Sequence, residues 1–553
     1  MLMVEAFSRL LKLIDEEVVL IDALGDQTIA RVSTSLFQGC FRTLMQQGLD
    51  GSWNSSREAS SYAGLILHYA RRICFVQPLR PWIDYAIDLV RGYLQSVDDS
   101  GPTYLWIEKV TYMSPLLSKA YYLAALQACN ATVRCNRLGL IGCTLRIQYD
   151  APIMKKYTKV IQQTPLFAQM PEWQIGGSGI EASLFEPLLR QRRHEILTRD
   201  NMKEDKYFSM IPLTWTACNN RVGTPASCTF LFDMMILSVL GFRVDEFMES
   251  VAGPAFQPRF KDLKDLIDEL FSDYKFGSTT NTSQTAALQI SNGQLVSPNV
   301  YDKVRRPLKH YIRYILHHEA VQQANDRDVY TLRQELKQFL YAHITQATDN
   351  HRLAKGNASQ LFHYPESDFY RWMHTTSADH TGCPYAFAFA GCLISFTSCL
   401  PPSNPSPTTT TPPYSNNKRP AIWQTAEQKY LAADLCRHLS TMCRMYNDCG
   451  SIQRDRYEGN LNSVDFSEFA NADLNAACEG GLAKAALFRL AEYERKGVES
   501  AFAHLVDAFE NTASKAATCG HKIDPMGLWR LFVDVTDLYG QIYVVKDIAS
   551  RMK

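Results

Sequence analysis

The residues best suited to chemistry lie between Arg444 and Asn460, in the tract RMYNDCGSIQRDRYEGN. Within it Asn447, Ser451 and Asp455 recur at every fourth position. An α-helix advances roughly 100° and 1.5 Å per residue, so an amide oxygen, a hydroxyl and a carboxylate line one inclined stripe. These are hard ligands suited to Mg2+, which takes a few protein oxygens and completes its octahedron with water and phosphate oxygens. Arg444 lies one turn before the stripe and Arg454 sits inside it. Cations beside a hard-metal site suit a diphosphate, because arginine forks hold phosphate oxygens while the metal neutralises the remaining charge.

About 200 residues upstream, FDMMILSVLGFRVDEFMES closes a strongly apolar run with acids. Asp245 and Glu249 stand at i and i+4, so the two carboxylates share one helix face and can bridge metal ions. Either stripe alone is what a solvated polar helix face looks like. Two of them in one chain, each at helical spacing, are what a shared metal site requires. The basic run Arg190, Arg192, Arg193 and His194 reads instead as a solvated turn or as structural ion pairs.

The elements that must position these residues are helices. Apolar residues recur at three and four in LLKLIDEEVVLIDAL, SYAGLILHYARRI and WIDYAIDLVRGYLQSV, separated by GLDGSWNSS and DDSGPTY. Helical character continues through residues 151–250 and beyond. Gly382 and Pro384 interrupt the aromatic tract DFYRWMHTTSADHTGCPYAFAFAGCLIS. Between 400 and 420 the Pro/Thr/Ser/Asn tract PPSNPSPTTTTPPYSNNKRP cannot bury a core and is expected to be a disordered loop. Helices resume at Ile422.

Composition sets further bounds. The 553 residues can bury a large core, and Lys plus Arg equals Asp plus Glu at 57 each. That balance argues against nucleic acid or an anionic membrane surface as a partner, so an anionic ligand must be met locally. The fifteen cysteines show no C-x-x-C pair and read as reduced core residues. The N-terminus carries acids throughout, unlike a secretory signal, and the apolar run Tyr385–Phe396 is too short to span a bilayer. A cytoplasmic location follows as the expectation, with the sequons at Asn54, Asn130, Asn281 and Asn357 unused.

The block RMYNDCGSIQRDRYEGNLNSVDF resembles the second metal motif of class I terpene synthases and its surroundings in fungal copalyl diphosphate/kaurene synthases. EDKYFSMIPLTWTACNNR resembles the stretch those enzymes carry ahead of their first metal motif, and DGSW and YLWIEKVTY resemble their helical β domain. The resemblance implies an all-α protein, with a class I α-helical bundle at 161–553 preceded by a vestigial β domain at 1–160. The β domain lacks the D-x-D-D of protonation-type cyclases. The usual D-D-x-x-D of the first motif reads D-E-F-M-E here, which leaves Asp245 and Glu249 as ligands and puts Glu246 in doubt. Asp455 replaces the more usual Glu.

The resemblance further implies three Mg2+ ions holding the diphosphate of a prenyl substrate. Asp245, Asn447, Ser451 and Asp455 are then the catalytic set, and Arg444 and Arg454 bind diphosphate. Trp215, Asn219, Leu288, Tyr385, Phe387, Phe389 and Tyr539 would line the substrate pocket, where ring faces stabilise a carbocation. By its compact layout the chain looks most like the fungal humulene synthases, which cyclise farnesyl diphosphate by 1,11-closure and proton loss. The alternatives are a diterpene synthase using geranylgeranyl or copalyl diphosphate, and a non-catalytic helical scaffold. A chain-elongating prenyltransferase would need two D-D-x-x-D motifs, which are absent. A monomer or homodimer is expected.

Overall fold

The computed structural model describes the chain except residues 98–103, 108–109, 132–138, 146, 148, 150, 198–207, 224–225, 273–297, 356–366, 399–417, 470–480, 514–523 and 546–553. Two compact units form. The first comprises Met1–Gln162, Phe167–Arg190 and Trp215–Phe232; the second comprises Gln163–Leu166, Gln191–Thr214 and Asp233–Lys553. The expected single cut near residue 160 is replaced by a division in which later segments return to the first unit. Most of the tract 400–420 lies outside the described residues.

In the first unit, helices α1 (Leu2–Asp15), α2 (Asp26–Met45), α3 (Arg57–Ala70), α4 (Arg80–Ser96) and α5 (Pro115–Asn130) carry the three-and-four periodicity read from the sequence. Their apolar faces meet in one core around Leu11, Leu36, Phe37, Leu67, Ile87, Val90 and Leu94. Ser56 caps α3 by accepting the Ala59 N–H. The DGSW tract is a packing device: Asp50 accepts from the Ser52 amide, and Trp53 Nε1 donates to the Thr43 carbonyl at 2.9 Å.

Among the described residues the protein is all-α apart from one small two-stranded departure. Tyr104–Ile107 pairs antiparallel with Val110–Met113, Tyr104 opposite Met113. Both segments are rich in aromatic and β-branched residues and only Glu108 and Lys109 separate them, which favours a hairpin over a helix turn.

The second unit holds the chemistry. After α6 (Glu172–Ile196) and α7 (Met210–Val222), helix α8 (Cys228–Phe247) is apolar nearly all round, as a buried helix should be, and continues directly into a π-helical turn, Met248–Ala252. After the helices Phe260–Ser272 and Pro298–Leu316 comes α9 (Asp326–Lys355), then a broken stretch in which Met373–Ser377 is π-helical, Ala378–His380 is a short α-turn, and Gly382 at φ +72° restarts the chain as α10 (Cys383–Ser398). The interruption expected at Gly382 and Pro384 is therefore a helix break. Helices α11 (Ala426–Glu458), α12 (Gly481–Ala513) and α13 (Pro525–Val545) complete the unit. Among the described residues no helix is long and apolar enough to cross a membrane.

Candidate active site

Helix α11 opens with a capping box, in which Thr425 accepts the Gln428 amide while the Gln428 side chain accepts backbone amides in return. It ends at Gly459 in the left-handed region at φ +73°, a conformation glycine adopts without a Cβ penalty. That turn folds the following chain back along the helix. The Leu461 amide and the Asn460 side chain are both held by Asn350 of α9, each at 2.9 Å. Asn462 thereby reaches its own helix: its amide group donates to the Asp448 carbonyl at 3.0 Å and to Asp455 Oδ2 at 2.8 Å. Ser451 Oγ donates to the same Asp455 oxygen at 2.6 Å and lies 3.5 Å from Asn447 Oδ1. The four-residue stripe is thus a pre-oriented oxygen row, locked from outside by a residue the motif does not contain.

Depth is set by a close helix contact. A Cβ at Gly450 would lie 2.3 Å from the Tyr543 carbonyl oxygen of α13, so only glycine lets the two backbones approach. Asp448, 1% exposed, turns inward and holds both Ser463 and Arg444, the latter with Nε 2.8 Å from Oδ1. Arg444 also places Nη1 3.3 Å from His380 Nδ1 and its guanidinium 5.7 Å from the Trp372 ring. Arg454 reaches Asp455 at 3.4 Å and Glu458 at 3.9 Å.

On the other arm the α-to-π junction places Asp245 in the last α-turn and Glu249 within the π-turn. Such single π-turns concentrate at functional sites. Glu246 pairs with Arg243 at 2.9 Å, and its charge adds to the rise of the Asp245 carboxyl. Among the described residues no hydrogen bond reaches Asp245 or Glu249. The Asp245 side chain keeps 37% exposure, yet desolvation is the largest influence on it, which describes a recess lined by protein and open to water.

Electrostatics joins the arms. The Asp245 carboxyl is raised well above its usual range by desolvation and then by Glu249, with Arg444 and Arg454 opposing. Glu249 is pushed up to about 7 by desolvation, with Arg444 opposing and Asp455 and Glu458 adding to the rise. Glu249 feeling Asp455, and Asp245 feeling both arginines, puts the two motifs within electrostatic reach of one another. Carboxylates held together without hydrogen bonds are what a multivalent cation relieves, so the donor set fits hard divalent ions.

Two histidines with no sequence signature complete the wall. His343 of α9 sits with Nδ1 3.6 Å from Asp245 Oδ1, and its ring centroid is 4.1 Å from that of His380. An Arg437–Asp379 ion pair at 2.9 Å fixes the short turn that carries His380.

The expected pocket residues divide. Tyr385 lies against Phe339 with centroids 4.8 Å apart, close enough for the Asp245 charge to raise its phenol further beyond what burial does. Tyr539 meets Phe242, three residues before Asp245, at 6.1 Å. Phe387 turns instead to Trp529 at 4.3 Å and Phe389 to His318 at 5.2 Å, because residues two apart on a helix face different directions. Trp215 and Asn219 are buried in the first unit, where Asn219 accepts the Ala226 amide. Leu288 lies outside the described residues. The basic run is engaged locally: Arg190 with Glu186 at 2.5 Å, Arg192 with Glu195 at 2.9 Å, and Arg193 with His194 at 3.0 Å. Asp448, Asn462, His343 and His380 escaped the sequence reading. The first two adjoin the motif, while the histidines gave no local signal.

No family model matches the chain. Among curated proteins it is 37% identical to the phyllocladan-16-α-ol synthase of Phomopsis amygdali, covering all of this chain and 55% of that one. It is 37% identical to the ent-kaur-16-ene synthase of Fusarium fujikuroi, with the same coverage. Against the pimaradiene synthase of Emericella nidulans it is 36% identical over 99% of this chain and 54% of the relative. The chain spans about half the length of the curated relatives it matches. None of the three is named a humulene synthase, so the expected 1,11-closure of farnesyl diphosphate finds no support among them.

Proposed function

We propose that this chain, homologous along its whole length to part of the fungal terpene synthases, carries out class I diterpene cyclisation: ionisation of geranylgeranyl or copalyl diphosphate, ring closure and release of diphosphate. The observation that carries the reading is the mutual field between Asp245 and Glu249 on one side and Arg444, Arg454 and Asp455 on the other. Mg2+ would be held by Asp245, Glu249, Asn447, Ser451 and Asp455, where it supplies positive charge against the leaving diphosphate. Arg454 and Arg444 add a fixed field of the same sign. Because Asp448 and His380 already orient Arg444, little of that field must be reorganised during reaction.

Ionisation needs no nucleophile from the protein. The allylic C–O bond breaks, its electron pair leaves with the diphosphate, and the remaining cation must be kept from water. Tyr385, which feels the Asp245 charge, with Phe339 packed on it, and Phe242 with its neighbour Tyr539, would offer ring faces to that cation. The first unit carries no D-x-D-D and acts as support. Incubation of the chain with Mg2+ and geranylgeranyl, copalyl or farnesyl diphosphate, followed by mass spectrometry of the extract, is expected to give a cyclic diterpene from one of the first two. Absence of any diphosphate-dependent hydrocarbon or alcohol would refute the proposal, and a product from farnesyl diphosphate alone would restore the sesquiterpene reading.

A further inference from the structure

His343 has no place in the scheme above, and His380 enters it only through Nδ1, which faces Arg444. His343 is 4% exposed and neither ring nitrogen has a hydrogen-bond partner; Nε2 of His380 is likewise buried and unpartnered. Leaving such groups unpaired in a protein interior is unfavourable, because their desolvation is not offset by a hydrogen bond. Among the described residues, Arg444 faces Nδ1 of His380 at 3.3 Å, and Asp245 lies 3.6 Å from His343 Nδ1, too long for a hydrogen bond. One ligand atom from each of Asp245, His343 and His380 lies within 4.8 Å of the other two.

We propose that Asp245, His343 and His380 form a second metal site, of two imidazole nitrogens and one carboxylate oxygen, which takes a borderline divalent transition ion such as Zn2+ or Co2+. Its chemistry differs from that of the oxygen cradle: imidazole suits zinc and its first-row neighbours, whereas Mg2+ selects oxygen. Both ring nitrogens of His343 and Nε2 of His380 are buried without a hydrogen-bond partner, which leaves imidazole nitrogens from both rings available as ligands. The Arg444 charge weakens the site relative to a closed structural zinc centre. Asp245 belongs to both sets, so a transition ion at the imidazoles removes a ligand from the cradle. Competition of Zn2+ with Mg2+ and diphosphate rests on the reading of the cradle given above, whereas the nitrogen site itself does not.

The full chain, stripped with a chelator and titrated with Co2+, is expected to develop a saturable visible d–d absorption that excess Mg2+ without diphosphate leaves in place and Zn2+ abolishes. His343→Gln and His380→Gln should each weaken Co2+ by more than the about tenfold that loss of an outer-shell partner costs. No saturable band in the parent chain, or unchanged Co2+ affinity in both variants, overturns the site. If circular dichroism shows that both variants fail to fold, Asp245→Asn decides by the same criterion. Asn447→Ala touches only the cradle and should keep the Co2+ band. A Co2+ site in a chain that shows no thermal shift with Mg2+ plus inorganic diphosphate would remove the cyclase reading alone; the opposite pair of results would remove the nitrogen site alone.

Discussion

The two arms of the site are built on opposite principles. The α11 arm is satisfied before any ion arrives: Asp455 accepts from Ser451 and Asn462, Asp448 from Ser463, and both acids have arginines beside them. The α8 arm is held in conflict, with Asp245 and Glu249 close together, desolvated and without hydrogen bonds. One arm fixes geometry and the other stores repulsion. A metal–diphosphate complex would gain most of its electrostatic stabilisation from relieving the α8 arm, and its positional accuracy from the α11 arm.

The largest expected effect tests whether both arms serve one site. Asp245→Ala and Asn447→Ala should each lower turnover by about 10³-fold or more, the order lost when a preorganised charge-stabilising group is removed. The helical circular dichroism spectrum should be unchanged, and near-normal turnover in either variant would separate the arms. Next, Asn462→Ala removes the outer lock on Asp455 and should weaken Mg2+-dependent diphosphate binding about 10–100-fold by calorimetry, with the fold retained.

Gly450→Ala drives a methyl into the Tyr543 carbonyl and should cost about 1–3 kcal/mol in thermal or denaturant unfolding. The contrast itself is sharpened by a charge-neutral pair. Asp455→Asn disturbs a satisfied acceptor and should lower metal-free stability by about 1–3 kcal/mol. Asp245→Asn removes repulsion and should leave stability unchanged or raised, though it removes a ligand. The same sign in both variants would erase the distinction.

The smallest effect is a pH dependence away from the site. Glu494 lies 2.6 Å from His438 and 3.5 Å from His374, and its hydrogen bonds raise both histidines above 6.5. Burial alone would raise Glu494, but hydrogen bonds from the histidines outweigh it and bring the acid down to about 2. The histidine contribution is complete below pH 6.5 and fades as pH climbs through the raised folded values. The acid contribution is complete above pH 4.5 and fades as pH falls toward about 2. Glu494→Gln should flatten stability at both edges, measured as Tm against pH, while leaving Mg2+-dependent diphosphate affinity unchanged.

Much of this was legible because helices write themselves in short-range spacing. The Asn447–Ser451–Asp455 stripe, the Asp245–Glu249 pair, the apolar α8 and the break at Gly382 all follow from which residues recur within a few positions. Direction is what local spacing does not carry: Phe387 and Phe389 share a tract with Tyr385 yet pack on Trp529 and His318. The Tyr104–Met113 hairpin fell within a region read as helical throughout.

The sequence by itself determined the oxygen-bearing residue types, their helical register and the all-α class, since those depend on contacts within one or two turns. Only the tertiary structure decided that Asn350 of a separate helix folds Asn462 onto Asp455, that α8 ends in a π-turn aimed at Arg444 and Arg454, and that His343 and His380 meet at Asp245. Those outcomes depend on close packing between segments far apart in the chain, where a missing Cβ at Gly450 or a left-handed turn at Gly459 settles which side chains come together.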